Sequence, residues 1–322
     1  MTSLIEQAAK RLEQLRQAGV EVPSAVARDI PNLTPRELVP VAASLTQPAI
    51  TAASTQADAV SETPAEQPAS TSRRVELNLD TLSASGIVNP HSPRSQIADQ
   101  YRVIKRPLIT NAMGRGASVI ANSNLIMVTS ALPGEGKSFN AVNLAMSIAT
   151  ELDNTVMLVD ADVARPSVMR MLGLPDSPGL LDIVQDESRD LSSVLLKTNI
   201  DKLTILPSGT PHPRATELLA SDAMIRLLND MATRYADRII IFDSPPLLLT
   251  TESRVLATHM GQIVMVVHAG KTLQTDVRQA IATIESCPVK LMLLNKASQL
   301  FKDGYGYGYG YGYEQEAGRK HS

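Results

Sequence analysis

The chain has no tryptophan, three phenylalanines and one cysteine, Cys287, in 322 residues. A single thiol excludes internal disulfides, so stability must come from packing, and a reducing cytoplasm is the expected home. No apolar run approaches the roughly 18 residues that a membrane-spanning helix needs. No charged-then-apolar leader precedes Ser3, so any membrane association is expected to come through a partner. Positive charge is also lacking: the formal net charge of -3 offers no basic face for nucleic acid, and none is expected as a partner. The five histidines are scattered without metal-ligand spacing. What is present is apolar: 43% of the residues, ample for the core of one large or two modest domains.

Composition divides the chain. Ser3 and Glu6 form a capping box for a helix over 3–18, with Leu4, Ala8, Leu12 and Leu15 on one face and Gly19 as its stop. This helix either packs on its own main domain or docks on a partner; it belongs to an N-terminal helical segment, 1–40. Between Val41 and Ser72, 22 of 32 residues are Ala, Ser, Thr or Pro, with no aromatic and no basic residue. Such a stretch reads as a disordered linker, able to span roughly 30 Å as a flexible coil. The main domain is expected over 73–302, and a flexible tail over 303–322.

Within the main domain, Leu125–Ser130, Thr155–Asp160, Leu203–Pro207, Arg238–Asp243, Gln262–His268 and Val289–Asn295 are nearly continuous apolar runs. Runs of this kind predict strands buried on both faces, in a mostly parallel sheet with helices on either side. Amphipathic segments such as Thr216–Tyr235 and Thr272–Ser286 supply the crossovers. The fold class is therefore α/β, a doubly wound, mostly parallel sheet with helices on both faces.

In such sheets ligands sit beyond the carboxyl ends of the strands. After Leu125–Ser130 comes Ala131-Leu132-Pro133-Gly134-Glu135-Gly136-Lys137-Ser138, which matches the end of a Walker A pattern with Ala131 where the first glycine usually stands. The glycines let backbone N–H groups close around phosphates, and the following helix aims its positive end at them. Gly134, Glu135, Gly136, Lys137, Ser138 and Phe139 are the candidate ATP-binding set. Lys137 is expected to reach the β and γ phosphates, and the Ser138 hydroxyl to ligate Mg²⁺. Asp160-Ala161-Asp162 and Asp243-Ser244-Pro245-Pro246 end two further strands and bring carboxylates to the same edge. One carboxylate with Ser138 and the phosphates makes a sensible Mg²⁺ shell, leaving others to position a hydroxyl nucleophile. Asn295-Lys296, after the last strand, is either an adenine contact or a strand cap.

Five of the seven tyrosines, Tyr305, Tyr307, Tyr309, Tyr311 and Tyr313, alternate with glycine near the C-terminus. Glycine at every second position denies the run a stable helix and leaves each phenol presented as a substrate peptide must be. A phosphate-binding loop and a row of phosphate acceptors in one chain point to self-phosphorylation on tyrosine. Tyr101 and Tyr235 lie in helical patterns and read as packing residues.

Ala131–Ser138, Val156–Arg165 and Ile239–Pro246 resemble the Walker A, A′ and B motifs of the bacterial tyrosine kinases, and the tyrosine-rich tail is similar too. The likeness spans about 92–313. It implies a P-loop ATPase fold unrelated to eukaryotic-type protein kinases, and control of exopolysaccharide polymerisation and export. Carried over, Lys137, Asp160, Asp162 and Asp243 are the catalytic set. Ser138, Asp162 and Asp243 are the metal set, and Asp160 is the first choice to orient the tyrosine hydroxyl and take its proton. The resemblance also implies a homo-oligomeric ring and a membrane polysaccharide co-polymerase, or chain-length determinant protein, as activator, recruiting the kinase to the inner face of the plasma membrane. The Ser-Leu-Ile-Glu opening resembles the exosortase-associated tyrosine autokinase subgroup.

Two departures accompany this resemblance. The family's arginine after the second A′ aspartate is replaced by Ala164, with Arg165 beside it. The family's Glu-x-x-Arg-x-x-Arg subunit contact is matched by Asp99, Arg102 and Lys105, which a spacing of three places on one helical face; the plain alternative is a solvated ion-pair stripe. The competing function is a ParA/MinD-type ATPase switch without kinase activity. Those switches carry a signature lysine five places before the Walker A lysine, where this chain has Leu132. A nucleotide-binding scaffold acting through its front helix is a third reading.

Overall fold

A computed structural model of the chain describes residues 72–91, 95–235 and 237–297. The expected helix over 3–18, the linker up to residue 71 and the tyrosine run lie outside the described residues.

Among the described residues eight strands form one sheet: β1 (Arg73–Arg74), β2 (Leu125–Ser130), β3 (Thr155–Asp160), β4 (Leu196–Lys197), β5 (Leu203–Leu206), β6 (Arg238–Asp243), β7 (Gln262–His268) and β8 (Val289–Asn295). The described residues also form nine α-helices: α1 (Leu79–Ala84), α2 (Gln96–Ala112), α3 (Lys137–Ala149), α4 (Val168–Met171), α5 (Leu180–Gln185), α6 (Ala215–Leu219), α7 (Asp222–Arg234), α8 (Glu252–Ala257) and α9 (Gln274–Ala282). The strand order is β1-β4-β5-β3-β6-β2-β7-β8. Every pairing is parallel except β4 with β5.

The apolar runs become strands because each pleat alternation finds a core on both sides. Met127, Met157, Val159, Ile240, Phe242, Ile263 and Met265 face one core, completed by α5, α7 and α8. Ile126, Val128, Val156, Leu158, Ile239, Ile241 and Val264 face the other, roofed by α2 and α3. All six residues of β2 are buried, and each large apolar side chain taken out of water contributes roughly 1.5–3 kcal/mol. The lone thiol, Cys287, is also buried. Among the described residues no helix is long and apolar enough to cross a membrane.

Three expectations are corrected. The run Val289–Asn295 is an edge strand with Met292 and Leu294 50% and 65% exposed, because among the described residues only β7 pairs with it. The segment Thr216–Tyr235 is two helices, broken where the Ser221 hydroxyl accepts the Met224 N–H and caps α7. Lys105 does not share an exposed face with Asp99 and Arg102: it is 1% exposed. Three-residue steps at 3.6 residues per turn drift, so Lys105 lies roughly 120° round the helix from Asp99. Its ammonium donates to the Ser147 carbonyl at 2.5 Å and pairs with Glu151 at 2.7 Å, closing the C-terminal end of α3, where a cation is favoured. Asp99 and Arg102 remain exposed and pair with each other.

Candidate nucleotide and phosphoryl-transfer site

Strands β3, β6 and β2 are neighbours in the sheet, so their carboxyl ends deliver Asp160, Asp243 and the 131–138 loop side by side. Asp160 and Asp243 stand opposite each other in register. The loop then turns directly into α3. Gly136 precedes that helix with φ +100°, and no side chain caps it. The first turn of α3 also lacks an acidic residue, whereas α1, α2, α5, α7, α8 and α9 each carry one there. The unsatisfied N–H groups and positive end of α3 are thus left for an external anion.

Lys137 is the cation inside this edge. Its ammonium lies 2.6 Å from Asp162 Oδ2 and 3.7 Å from Asp243 Oδ1, and donates to the Ser138 hydroxyl at 3.3 Å. Burial works to lower its pKa, but the charges of Asp243, Asp162 and Asp160 outweigh that, and the ammonium is held above its ordinary value. Asp162 also accepts the Arg165 backbone N–H at 3.2 Å; the Arg165 side chain itself is exposed.

The two aspartates at the strand ends differ. One oxygen of Asp160 accepts N–H bonds from Ser167 and Val168 at 3.0 and 2.9 Å, fixing the turn into α4. Its other oxygen, Oδ1, is buried with no hydrogen-bond partner. Burial, reinforced by the Asp243 charge, pushes the Asp160 carboxyl up to about 7 against those two N–H bonds. Both oxygens of Asp243 are buried, with Oδ1 facing the Lys137 ammonium; burial pushes that carboxyl up to about 6 while Lys137 and Ser138 pull it down. Unpaired buried carboxylate oxygens are costly to leave so. Beside a hydroxyl they form a donor set of hard oxygens, the type Mg²⁺ takes. No group of three or more His, Cys, Asp or Glu among the described residues is arranged to hold a metal alone. An ion here would draw on one or two carboxylates, a hydroxyl and substrate phosphates.

The remaining loop residues hold the cradle together. Buried Glu135 accepts the Leu132 N–H at 2.7 Å and the Thr272 hydroxyl. Asn295 Nδ2 donates to the Glu135 carbonyl and Lys296 Nζ to the Gly134 carbonyl, both at 2.8 Å, so this pair at the end of β8 ties down the loop. Half-buried Phe139 packs against the core that α2 and α3 roof. Asn140 and Tyr101 were not singled out as site residues, yet Asn140 binds the Gly136 carbonyl and Tyr101 binds Asn140. The sole sequence signal for Asn140 is an amide three places beyond the loop lysine.

The ParA family model, described as NUBPL iron-transfer P-loop NTPase, matches residues 121–296, more than half of the chain. The domain is therefore a ParA-type P-loop NTPase. Over 215 residues the chain is 33% identical to the tyrosine-protein kinase YwqD of Bacillus subtilis strain 168, spanning 67% of this chain and 86% of that protein. The chain belongs to the bacterial tyrosine kinases. The tyrosine-protein kinase Ptk of Acinetobacter johnsonii is 31% identical over 53% of this chain, but that match spans 23% of Ptk. This kinase domain thus matches most of one relative and about a quarter of another. Among solved structures, the chimerical protein CapA2B2 superposes with a TM-score of 0.55 at 26% identity, over 68% of this chain and 99% of its own.

Proposed function

We propose that this kinase binds ATP with Mg²⁺ at the 131–138 loop and transfers the γ-phosphoryl group to its own tyrosine run, Tyr305 to Tyr313. The observation that carries this reading is the convergence of Lys137, Asp160, Asp162 and Asp243 before an uncapped helix, in a chain that also bears five glycine-spaced tyrosines. Backbone N–H groups of Gly134 to Ser138 would receive the phosphates. Lys137, drawn from Asp162 to the stronger phosphate anion, would leave that carboxylate free. Ser138 and Asp243, with Asp162, would hold Mg²⁺, which when bound neutralises charge on the phosphates.

The phenol oxygen of a tyrosine forms the new bond to phosphorus as the β–γ bridging P–O bond breaks and ADP leaves. The phenolic proton needs an acceptor, since a tyrosine has a reference pKa of about 10. Asp160 Oδ1 is the group suited to take it: buried, unpartnered, on a carboxyl pushed up to about 7, close to the pH at which a general base works best. Positioning and charge neutralisation account for most of the acceleration.

In this reading the tyrosines come from a neighbouring subunit of a homo-oligomeric ring, with exposed Asp99 and Arg102 exchanging their mutual pair for partners across the contact. Each phosphotyrosine adds about -1.5 to -2, so five change a tail by roughly -7.5 to -10 and drive tails apart. Such a cycle would regulate exopolysaccharide polymerisation and export through a membrane co-polymerase that activates the kinase at the inner membrane face.

The ParA family match supports the second reading, an ATPase switch. Against it, Leu132 occupies the signature-lysine position and packs its side chain against the core, so no cation can extend from there. Intact-mass spectrometry after incubation with ATP and Mg²⁺ separates the two. Kinase activity predicts a phosphate ladder on the parent chain, absent from Lys137→Ala and from a form ending at Asp303. Sustained ATP hydrolysis with no added phosphate would favour the switch, or a kinase awaiting its membrane activator.

A further inference from the structure

The geometry points to Tyr101 and Asn140 as positioning residues that aim the Lys137 backbone N–H at the bound phosphates, linking α2 to the nucleotide loop. The Tyr101 hydroxyl donates to Asn140 Oδ1 at 2.7 Å, and Asn140 Nδ2 donates to the Gly136 carbonyl at 2.8 Å. The Asn140 backbone N–H reaches the same carbonyl at 3.0 Å. That carbonyl shares a rigid planar peptide with the Lys137 N–H, and the two point in opposite directions. Holding the carbonyl toward Asn140 therefore holds the N–H toward the anion side of the loop.

The phenol decides which way the amide faces. Tyr101 is 4% exposed and Asn140 3%, so no bulk water replaces a missing partner. Burial raises the Tyr101 pKa, and the hydroxyl keeps its proton and its role as donor. With the hydroxyl present, the amide oxygen is committed to Tyr101 and its nitrogen to Gly136. Without it, a buried acceptor is left unpaired, and the amide gains by turning away from the loop. Gly136 cannot hold the arrangement unaided: its left-handed φ of +100° belongs to the most permissive residue type.

Lys105 provides the contrast. It lies one turn further along α2 and binds the far end of α3 through Ser147 and Glu151, remote from the loop. Both residues clamp α2 to α3, but only Tyr101 acts on the Gly136 peptide.

This inference rests on the nucleotide reading above, and its test is equilibrium binding of a fluorescent ADP analogue with Mg²⁺ to the full chain, with a thermal melt of each protein. Tyr101→Phe removes one oxygen and is expected to weaken binding about tenfold, the equivalent of one buried hydrogen bond. Asn140→Ala should weaken it at least as much. The double variant should lose no more than Asn140→Ala alone, because the phenol acts through the amide. Lys105→Met should lower the melting temperature and leave affinity within twofold of the parent. Tyr101→Phe binding within twofold of the parent, or Lys105→Met weakening binding as much as Tyr101→Phe, would overturn the assignment and leave the nucleotide site standing. A parent chain that does not bind the analogue would overturn both.

Discussion

Without nucleotide the acidic edge opposes the fold once it ionises, and the stability of the empty kinase should fall as pH rises from 5 to 8. Asp160 has an ordinary pKa of 3.8 and is pushed up to about 7 in the folded chain. Over that interval the folded state keeps a proton that the unfolded chain has released, so stability declines with pH until the folded carboxyl also ionises. Raising the carboxyl from 3.8 to about 7 corresponds to roughly 4 kcal/mol, of which the interval from pH 5 to 8 captures roughly 2–3 kcal/mol. Asp243, raised to about 6, acts in the same direction. Asp182, Asp186 and Glu187 have lowered pKa values; their opposite contribution is complete below pH 5. Lys137, raised from 10.5, titrates above pH 8. Urea unfolding in EDTA at four pH values reads the slope directly. Asp160→Asn keeps an acceptor for the Ser167 and Val168 N–H groups and removes the ionisation, so its slope should shrink. Parent stability that is flat or rises with pH, or an Asp160→Asn slope equal to the parent's, would refute the reasoning.

Three further outcomes follow from the site. Gly136→Ala places a methyl 2.2 Å from Asn295 Nδ2 at φ +100°; left-handed backbone alone costs about 1–2 kcal/mol there, so calorimetric nucleotide affinity should fall at least tenfold. Glu135→Ala leaves the Leu132 N–H and the Thr272 hydroxyl without their acceptor, and its urea midpoint should drop by the equivalent of about 1–3 kcal/mol. Asp160→Asn should lower autophosphorylation turnover by about 10²–10⁴-fold with little change in nucleotide affinity; equal losses in the two measurements would remove its role as proton acceptor.

The sheet was legible wherever a strand is long enough to carry a continuous apolar run. Leu125–Ser130, Thr155–Asp160 and Arg238–Asp243 carry their apolar runs to the residue at which each strand ends. The strand expected at Leu203–Pro207 stops at Leu206. Two-residue strands such as Arg73–Arg74 and Leu196–Lys197 have no periodicity to read and exist through their ladder partners alone. Burial of Val289–Asn295 was misjudged because an apolar run does not reveal that its strand lies at the edge of the sheet. The same limit applied to Lys105: its spacing suggested a surface charge, whereas its partners Ser147 and Glu151 lie more than 40 positions away. Asp160, Asp162, Asp243 and Lys137 converge because strand order makes β3, β6 and β2 neighbours. Local spacing marked the residues, but only the topology joined them.

The attachment of the phosphate loop to β8 has an energetic consequence. Through Asn295 and Lys296 the loop carbonyls hang from the outermost strand, the part of a sheet that ordinarily opens first. Fraying there must let go of the Gly134 and Glu135 carbonyls, so every local opening of the edge also slackens the cradle. A ligand that fits only the tightened loop raises the free energy of that opening by its own binding energy. Occupancy at the centre of the sheet is thereby registered as slower amide exchange along Val289–Asn295, a strand the phosphates need never touch.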